Sequence, residues 1–370
     1  MLSRSIVVQS LRSIRDRFFD RRRQRNEESD GQGSSNEATG PSLDNLAVDM
    51  QFLIMTFLSP QDLCRLGGTS RYWQSMVRDP VLWKYFLLRD MPLWQSVDHL
   101  SVPQVKLTGS AVLDDSEMQL DYMAEYLRVC PACRNQWQYQ PRAFESVTSF
   151  FQSLVPLSEP QFAMFGPGLE QLEISLMNTI MHSPHVLPVA GLPQRQIDGI
   201  GSGISFKYKD QHRFNIATLY STNRTERERA RLEHLSLRSK LFVYEEDSES
   251  NIPLSINSMF NQVCQAVNGF IFVANAETDR GTDREWEEEC AQIRVMLDPA
   301  VGAVSRPILV LSCVSRETAD RRRIPCVTIA HQLQLSSLPN PWMVQDTTAE
   351  TLTGLLDGID WLLRHSGVKL

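Results

Sequence analysis

The chain has 370 residues, with 37 Lys and Arg against 44 Asp and Glu, a formal charge of −7, and 42% hydrophobic and 22% charged residues. That length predicts two domains with connectors, and the apolar share excludes a wholly disordered or fibrous chain. An acidic balance does not suit a general nucleic-acid binder, and no apolar run approaches the roughly 20 residues of a membrane span.

Seven cysteines spread along the chain do not read as a disulfide framework, so a reducing home is expected, cytoplasmic with a possible nuclear share. Residues 1–25 hold eight arginines, and Val7, Leu11, Ile14 and Phe18 recur at spacings that put them on one helical stripe. A helix packing on a partner or on a second copy of the chain fits that stripe; a frayed basic tail is the alternative. Asp16 and Asp20 sit badly in a mitochondrial leader, and the apolar stretch at 6–8 is too short for a secretory signal. From 26 to 42 the chain turns acidic and rich in Gly and Ser, which predicts a disordered linker.

Over 43–94 a compact helical module is expected. Met50, Leu53, Ile54, Phe57 and Leu58 recur with helical period. Ser59-Pro60-Gln61-Asp62 then reads as an N-cap, a first-position proline and a first-turn acid, and the helix stops at Gly67-Gly68. Trp73, Met76 and Val77 mark a third helix. Asp79-Pro80 repeats the capped start before Leu82, Trp83, Phe86 and Leu87.

This run resembles an F-box. The leading Leu46, the apolar helix through Ile54 ending in Phe57-Leu58, the pair Asp62-Leu63 and the later Trp73 and Trp83 follow the family pattern in order. The usual proline after the first leucine is Ala47 here, a departure expected to loosen the turn that leads into the helix. The resemblance implies a hook that docks onto the Skp adaptor of a cullin ubiquitin ligase. Its contacts would come from Leu46, Met50, Ile54, Phe57, Leu58, Ser59, Pro60 and Leu63, with Trp73 and Trp83 in the core.

Residues 95–160 read as a helical connector. A helix is predicted over 114–129, ending at Cys130-Pro131-Ala132-Cys133. A zinc site needs four ligands and the chain has no second CxxC. A dithiol redox site normally opens a helix, whereas this pair follows one, so two incidental thiols and no metal are expected.

From 161 to 365 short apolar runs alternate with helical patterns. Strands are expected at 162–165, 204–209, 214–220, 269–273, 308–312 and 342–344. Helices carry Leu169, Leu172, Leu176 and Ile180, then Met259 to Val267, Trp286 to Leu297, the region of Ala330, and Leu352 to Leu363. The order predicts a three-layer α/β domain with a six-stranded, mostly parallel sheet and one antiparallel edge. It resembles the small-GTPase fold, with Gly166-Pro167-Gly168 where the phosphate loop belongs.

The nucleotide chemistry is missing. Counted from Gly166, the GxxxxGK[ST] pattern ends in Gln171, Leu172 and Glu173, and Glu170 and Glu173 put negative charge where phosphate would sit. Ser221-Thr222-Asn223-Arg224 stands in place of Asp-x-x-Gly, and Ser312-Cys313-Val314-Ser315 in place of Asn-Lys-x-Asp. A degenerate domain with no nucleotide, cofactor, metal or catalytic residue is expected. As open edges for an incoming strand, Ile204, Phe206, Lys207, Tyr208 and Lys209 are one candidate and Trp342 with Val344 the other.

The combination of F-box and degenerate GTPase-like domain is similar to substrate receptors of Skp–cullin–F-box ubiquitin ligases. That similarity implies protein targets that include D-type cyclins and a telomeric repeat-binding factor, and a homodimer formed through the region before the F-box. The alternatives are a nucleotide-regulated switch and a scaffold that docks the adaptor without cullin.

Overall fold

A computed structural model describes residues 43–103, 121–133, 159–191, 203–209, 212–219, 241–244, 254–277, 283–300, 302–303, 305–317 and 323–368. Val7, Leu11, Ile14 and Phe18, the linker at 26–42 and most of the helix predicted from residue 114 lie outside the described residues. The described residues form two compact units, 43–91 with 103 and 121–133, and 92–102 with 159–368, so the stretch read as a connector is divided between them.

In the first unit a 3₁₀ turn at Leu43–Asn45 precedes α1 (Val48–Thr56), α2 (Pro60–Gly67), α3 (Arg71–Val77), α4 (Pro80–Asp90) and α5 (Tyr122–Val129). The capped starts form as the residue types require. Ser59 Oγ accepts the Asp62 N–H at 3.1 Å and Asp79 Oδ1 accepts the Val81 N–H at 2.8 Å, each with proline at the head of its helix. Ser70 caps α3 in the same way, taking the Trp73 N–H at 3.2 Å. Trp73 and Trp83 are buried, and the Trp83 indole donates to the Val77 carbonyl at 2.6 Å. The Tyr126 ring of α5 packs 5.4 Å from Trp83, and its hydroxyl donates to Asp90 at 2.7 Å, which closes the core.

The second unit runs β1 (Ser96–Asp98), β2 (Gln161–Phe165), α6 (Gly168–Gln171), α7 (Leu176–His182), β3 (Val189–Gly191), β4 (Gly203–Tyr208), β5 (His212–Thr218), β6 (Phe242–Tyr244), β7 (Leu254–Ile256), α8 (Asn261–Ala266), β8 (Gly269–Asn275), α9 (Asp283–Met296), β9 (Ile308–Val314), α10 (Cys326–Gln332), β10 (Trp342–Thr348) and α11 (Leu355–His365). One sheet has the order β1-β10-β9-β8-β2-β5-β4-β3, and β6 and β7 form a separate ribbon. β10, β9, β8, β2 and β5 are parallel, while β4 is antiparallel to β5. β8 and β9 are buried on both faces, which is why they read as unbroken apolar runs rather than alternating ones. Leu355, Ile359, Leu362 and Leu363 of α11 join Leu309 and Leu311 in the main core.

The six expected strands are present, but the sheet has eight. β1 adds antiparallel to β10 and β3 antiparallel to β4, so both supposed edges are covered. The helix expected after β2 is two pieces, because Ser175 becomes an N-cap, with its hydroxyl 3.4 Å from the Asn178 N–H. The last helix starts at Leu355 rather than Leu352. The chain first reverses through Leu352 at φ 58° and Gly354 at φ 79°.

Gly354 is the tightest of these points, since a Cβ there would stand 2.0 Å from the Asp346 carbonyl oxygen. Gly354→Ala is therefore expected to destabilise the second unit by at least about 2 kcal/mol, combining backbone strain with the clash. Urea unfolding reads this directly, and an unchanged midpoint would contradict the close approach.

Candidate functional site

The sequence period of α1 marks one apolar stripe, and the structure turns it outward. The buried face of α1 carries Gln51, Phe52 and Met55 instead. Phe57 is 81% exposed, Met50 49% and Leu46 41%, with Ile54 and Leu58 half-buried between them. Ser59 is exposed and Pro60 half-buried at the tip that follows. Leu63 departs from the expected contact set. It is fully buried and serves the core, so it has no surface to offer a partner. Three large, exposed apolar side chains spaced by about one and two helical turns form a patch of the kind that marks a protein-binding face.

Gln51 sits opposite this patch. Its amide nitrogen lies 3.1 Å from the Leu43 carbonyl, 3.3 Å from that of Asp44 and 3.1 Å from that of Leu46, and its carbonyl accepts the Tyr72 hydroxyl. The turn that presents Leu46 is thus held from inside the module. This corrects the expectation that Ala47 in place of proline loosens it. At the tip, Ser59 and then Arg65 hydrogen-bond the Asp62 carboxylate and hold it below its usual pKa.

In the second unit hydrogen bonds cross the described carboxyl ends of the parallel strands, where open α/β sheets usually take ligands. β2 lies between β5 and β8, so the Gly166-Pro167-Gly168 turn stands at the topological switch point. A Cβ on Gly166 would meet the Val273 carbonyl oxygen at 2.7 Å, and one on Gly168 would meet Val273 Cγ1 at 2.8 Å. These glycines let the loop press onto β8. Beyond them Asn275 donates to Gln171 at 3.1 Å, the Glu173 N–H to Ser315 Oγ at 3.0 Å and the Ser315 N–H to Glu277 at 2.9 Å. Arg323 spans the next two strands, donating to the Ser312 carbonyl at 2.9 Å and to the Thr347 carbonyl and Thr348 hydroxyl at 3.1 Å.

Asp346 lies beside this guanidinium, 3.5 Å from Arg323 Nη1, and its Oδ1 makes no hydrogen bond. Burial raises its carboxyl to about 6, with Arg323 pulling the other way. Among the described residues no group of three His, Cys, Asp or Glu side chains is placed to hold a metal, and no helix is long and apolar enough to cross a membrane.

The two strands read as docking edges are not terminal. The Lys207 N–H donates to the Pro188 carbonyl at 2.9 Å beside β3. β1 takes β10 from Met343 to Gln345, and the Asp346 N–H goes to Gln95 at 2.8 Å. Ile204, Phe206, Tyr208, Trp342 and Val344 are buried. Lys209 pairs with Asp360 at 3.0 Å, and the same carboxylate takes the Tyr208 hydroxyl at 2.6 Å. The outermost strands of the eight-stranded sheet are β1 and β3, each three residues long.

The F-box-like family matches residues 48–89, the span from α1 almost to the end of α4. F-box only protein 4 of Bos taurus is 50% identical over 327 residues, covering 88% of this chain and 84% of its own length. The Homo sapiens protein of the same name is 49% identical over the same shares. A solved small GTPase, Arl6 (BBS3) from Trypanosoma brucei with bound nucleotide analogue GppNp, aligns with 57% of this chain and 98% of that chain at 13% identity and a TM-score of 0.32. The fold assignment rests on the strand order above and not on that likeness.

Gln51→Leu keeps the volume but removes the side-chain donor to the Asp44 and Leu46 carbonyls and the acceptor of the Tyr72 hydroxyl, so the first unit is expected to lose about 1–3 kcal/mol in chemical denaturation. Asp346 gives a pH signature. Its folded pKa lies above the unfolded value of about 4, so its contribution is full below about pH 4 and is lost as pH rises through about 6. The ionised carboxylate costs about 3 kcal/mol by this count. Unfolding free energies at a series of pH values should fall across that window, and Asp346→Asn should flatten the slope.

Proposed function

The chain belongs to the F-box only protein 4 family, and from that membership we propose that it is the substrate-receiving subunit of a Skp–cullin–F-box ubiquitin ligase. The observation that carries this reading is the exposed band of Leu46, Met50 and Phe57 on the module that matches the F-box-like family. A helical adaptor that covers the band removes it from water, each fully buried side chain contributing about 1.5–3 kcal/mol.

On this reading the chain is a tether. The helical unit fixes it to the Skp adaptor and through it to cullin, and the α/β unit holds a target near the ubiquitin-charged enzyme. The gain is one of effective concentration and requires no bond chemistry from this chain. The targets belong to the classes that the family resemblance implies, D-type cyclins and a telomeric repeat-binding factor. A cytoplasmic home and pairing of two copies through the stripe of Val7, Leu11, Ile14 and Phe18 complete the proposal. The bonds of Asn275 to Gln171 and of Ser315 to Glu173 and Glu277 at the carboxyl end of the sheet favour this reading over a nucleotide-regulated switch, because they engage groups beside the turn where a phosphate loop would stand.

The test compares wild type with Met50→Ala/Phe57→Ala, two side chains whose loss spares the core. Affinity-tagged wild type is expected to bring adaptor and cullin down together from cells. The double variant should lose adaptor more than tenfold at unchanged thermal stability, since about 1.4 kcal/mol is tenfold. Wild type that recovers neither protein overturns the proposal; adaptor without cullin turns it into a scaffold.

A further inference from the structure

Cys130 and Cys133 are not the incidental pair that their sequence context suggests. Cys130 ends α5, its N–H bonded to the Tyr126 carbonyl at 2.9 Å, and residues 131–133 are helical again. The pair therefore follows one helix and also opens the next helical turn, with Pro131 just after Cys130. The Cys133 N–H returns to the Cys130 carbonyl at 3.1 Å, and residues three apart on such a turn are neighbours. The two sulfurs are neighbours, and the Cys130 sulfur also faces the backbone of Ala132 and Cys133 and the oxygen of the Tyr126 hydroxyl, whose proton goes to Asp90.

A neighbouring thiol and the N–H groups at the start of a helical turn favour the thiolate of the Cys130 sulfur. Led by the bond from Cys133, they lower Cys130 to about 6, while the Cys133 thiol is raised by the same bond and keeps the proton of the pair. The other cysteines are different. Burial raises Cys264, Cys290, Cys313 and Cys326, and desolvation raises the exposed Cys64.

We propose that Cys130 and Cys133 are a reversible oxidation site in the helical unit, with small hydroperoxides as the substrate class and an intrachain disulfide as the product. Cys130 is buried and Cys133 half-buried, so the oxidant must be small, and hydrogen peroxide meets that condition. The Cys130 thiolate attacks one peroxide oxygen. A sulfur–oxygen bond forms, the oxygen–oxygen bond breaks, and the departing hydroxide takes a proton to become water. The Cys133 sulfur then attacks the Cys130 sulfenic acid, and hydroxide leaves with the Cys133 proton as a second water. Two thiols and one peroxide become one disulfide and two waters. Thiol reductants reverse the change, as expected of a disulfide that is transient in a reducing compartment. This inference stands on the helical unit alone and does not depend on the ligase reading.

The test titrates the full-length reduced protein with hydrogen peroxide, blocks remaining thiols with an alkylating agent and maps each cysteine by mass spectrometry. A Cys130–Cys133 disulfide is expected at peroxide doses that leave Cys64 at least tenfold less modified, and dithiothreitol should restore both thiols. Cys133→Ser keeps a hydroxyl donor and removes the resolving sulfur, so it should accumulate a dimedone-reactive sulfenic acid at Cys130. Oxidation of Cys64 first, over-oxidation of Cys130 in wild type without disulfide, or alkylation of both thiols at every dose would each overturn the proposal.

Discussion

The approach of Gly166 and Gly168 to Val273 is the constraint on which the α/β unit turns. The loop leaving the first parallel strand at a switch point is where such sheets open a crevice. Here the loop backbone lies so close to β8 that even a methyl group would stand under 3 Å from Val273. Once the loop is pressed down, Asn275 bonds Gln171, and Ser315 bonds both the Glu173 backbone and the Glu277 carboxylate. Arg323 extends the closure to β9 and β10, and the cost falls on Asp346, held beside it with an unsatisfied oxygen.

In the helical unit the corresponding constraint is size. Few residues cover few others, and a small module cannot bury apolar side chains on both faces of α1. The inner face takes Phe52 and Met55 with a fully bonded Gln51, and the outer face keeps Met50 and Phe57 in water. Gln51 is a buried polar group whose partners are the carbonyls of the very turn that carries Leu46, so the stability of the module and the presentation of its apolar band are one interaction. The Asp90 carboxylate works similarly at the other end. It joins Tyr126 of α5 to Arg89, whose guanidinium reaches the Thr56 carbonyl at the end of α1.

What was legible in the sequence was what local rules decide. Ser59-Pro60 and Asp79-Pro80 start helices because side-chain oxygen and proline ring act on their own turn. The six principal strands are legible because each carries its own short apolar run or apolar–polar alternation. What was not legible depends on distant partners. Met50, Leu53, Ile54, Phe57 and Leu58 have the right period, but period does not tell which face is inward when both are apolar. β1 and β3 are three-residue strands that exist only because β10 and β4 offer unpaired backbone. Leu169, Leu172, Leu176 and Ile180 fit one helix, yet all four reach the core with the helix broken, so burial does not enforce continuity. The CxxC pair hid for a related reason, since its neighbours Tyr126 and the resumed turn define it and neither is a motif.

The covered edges also narrow how an α/β unit of this kind can hold a protein. An unpaired strand edge invites addition, and natural sheets blunt it with short strands and irregularities. β1 is three residues long, and β3 pairs with β4 across a register shift between Val189 and Gly191. A strand added to either finds two or three main-chain partners, at about 1 kcal/mol net for each hydrogen bond, well short of micromolar affinity by itself. A target held here must therefore draw most of its affinity, and nearly all of its selectivity, from side chains around the edge. Backbone pairing can set the direction of such a target, but side-chain contacts must decide which target it is.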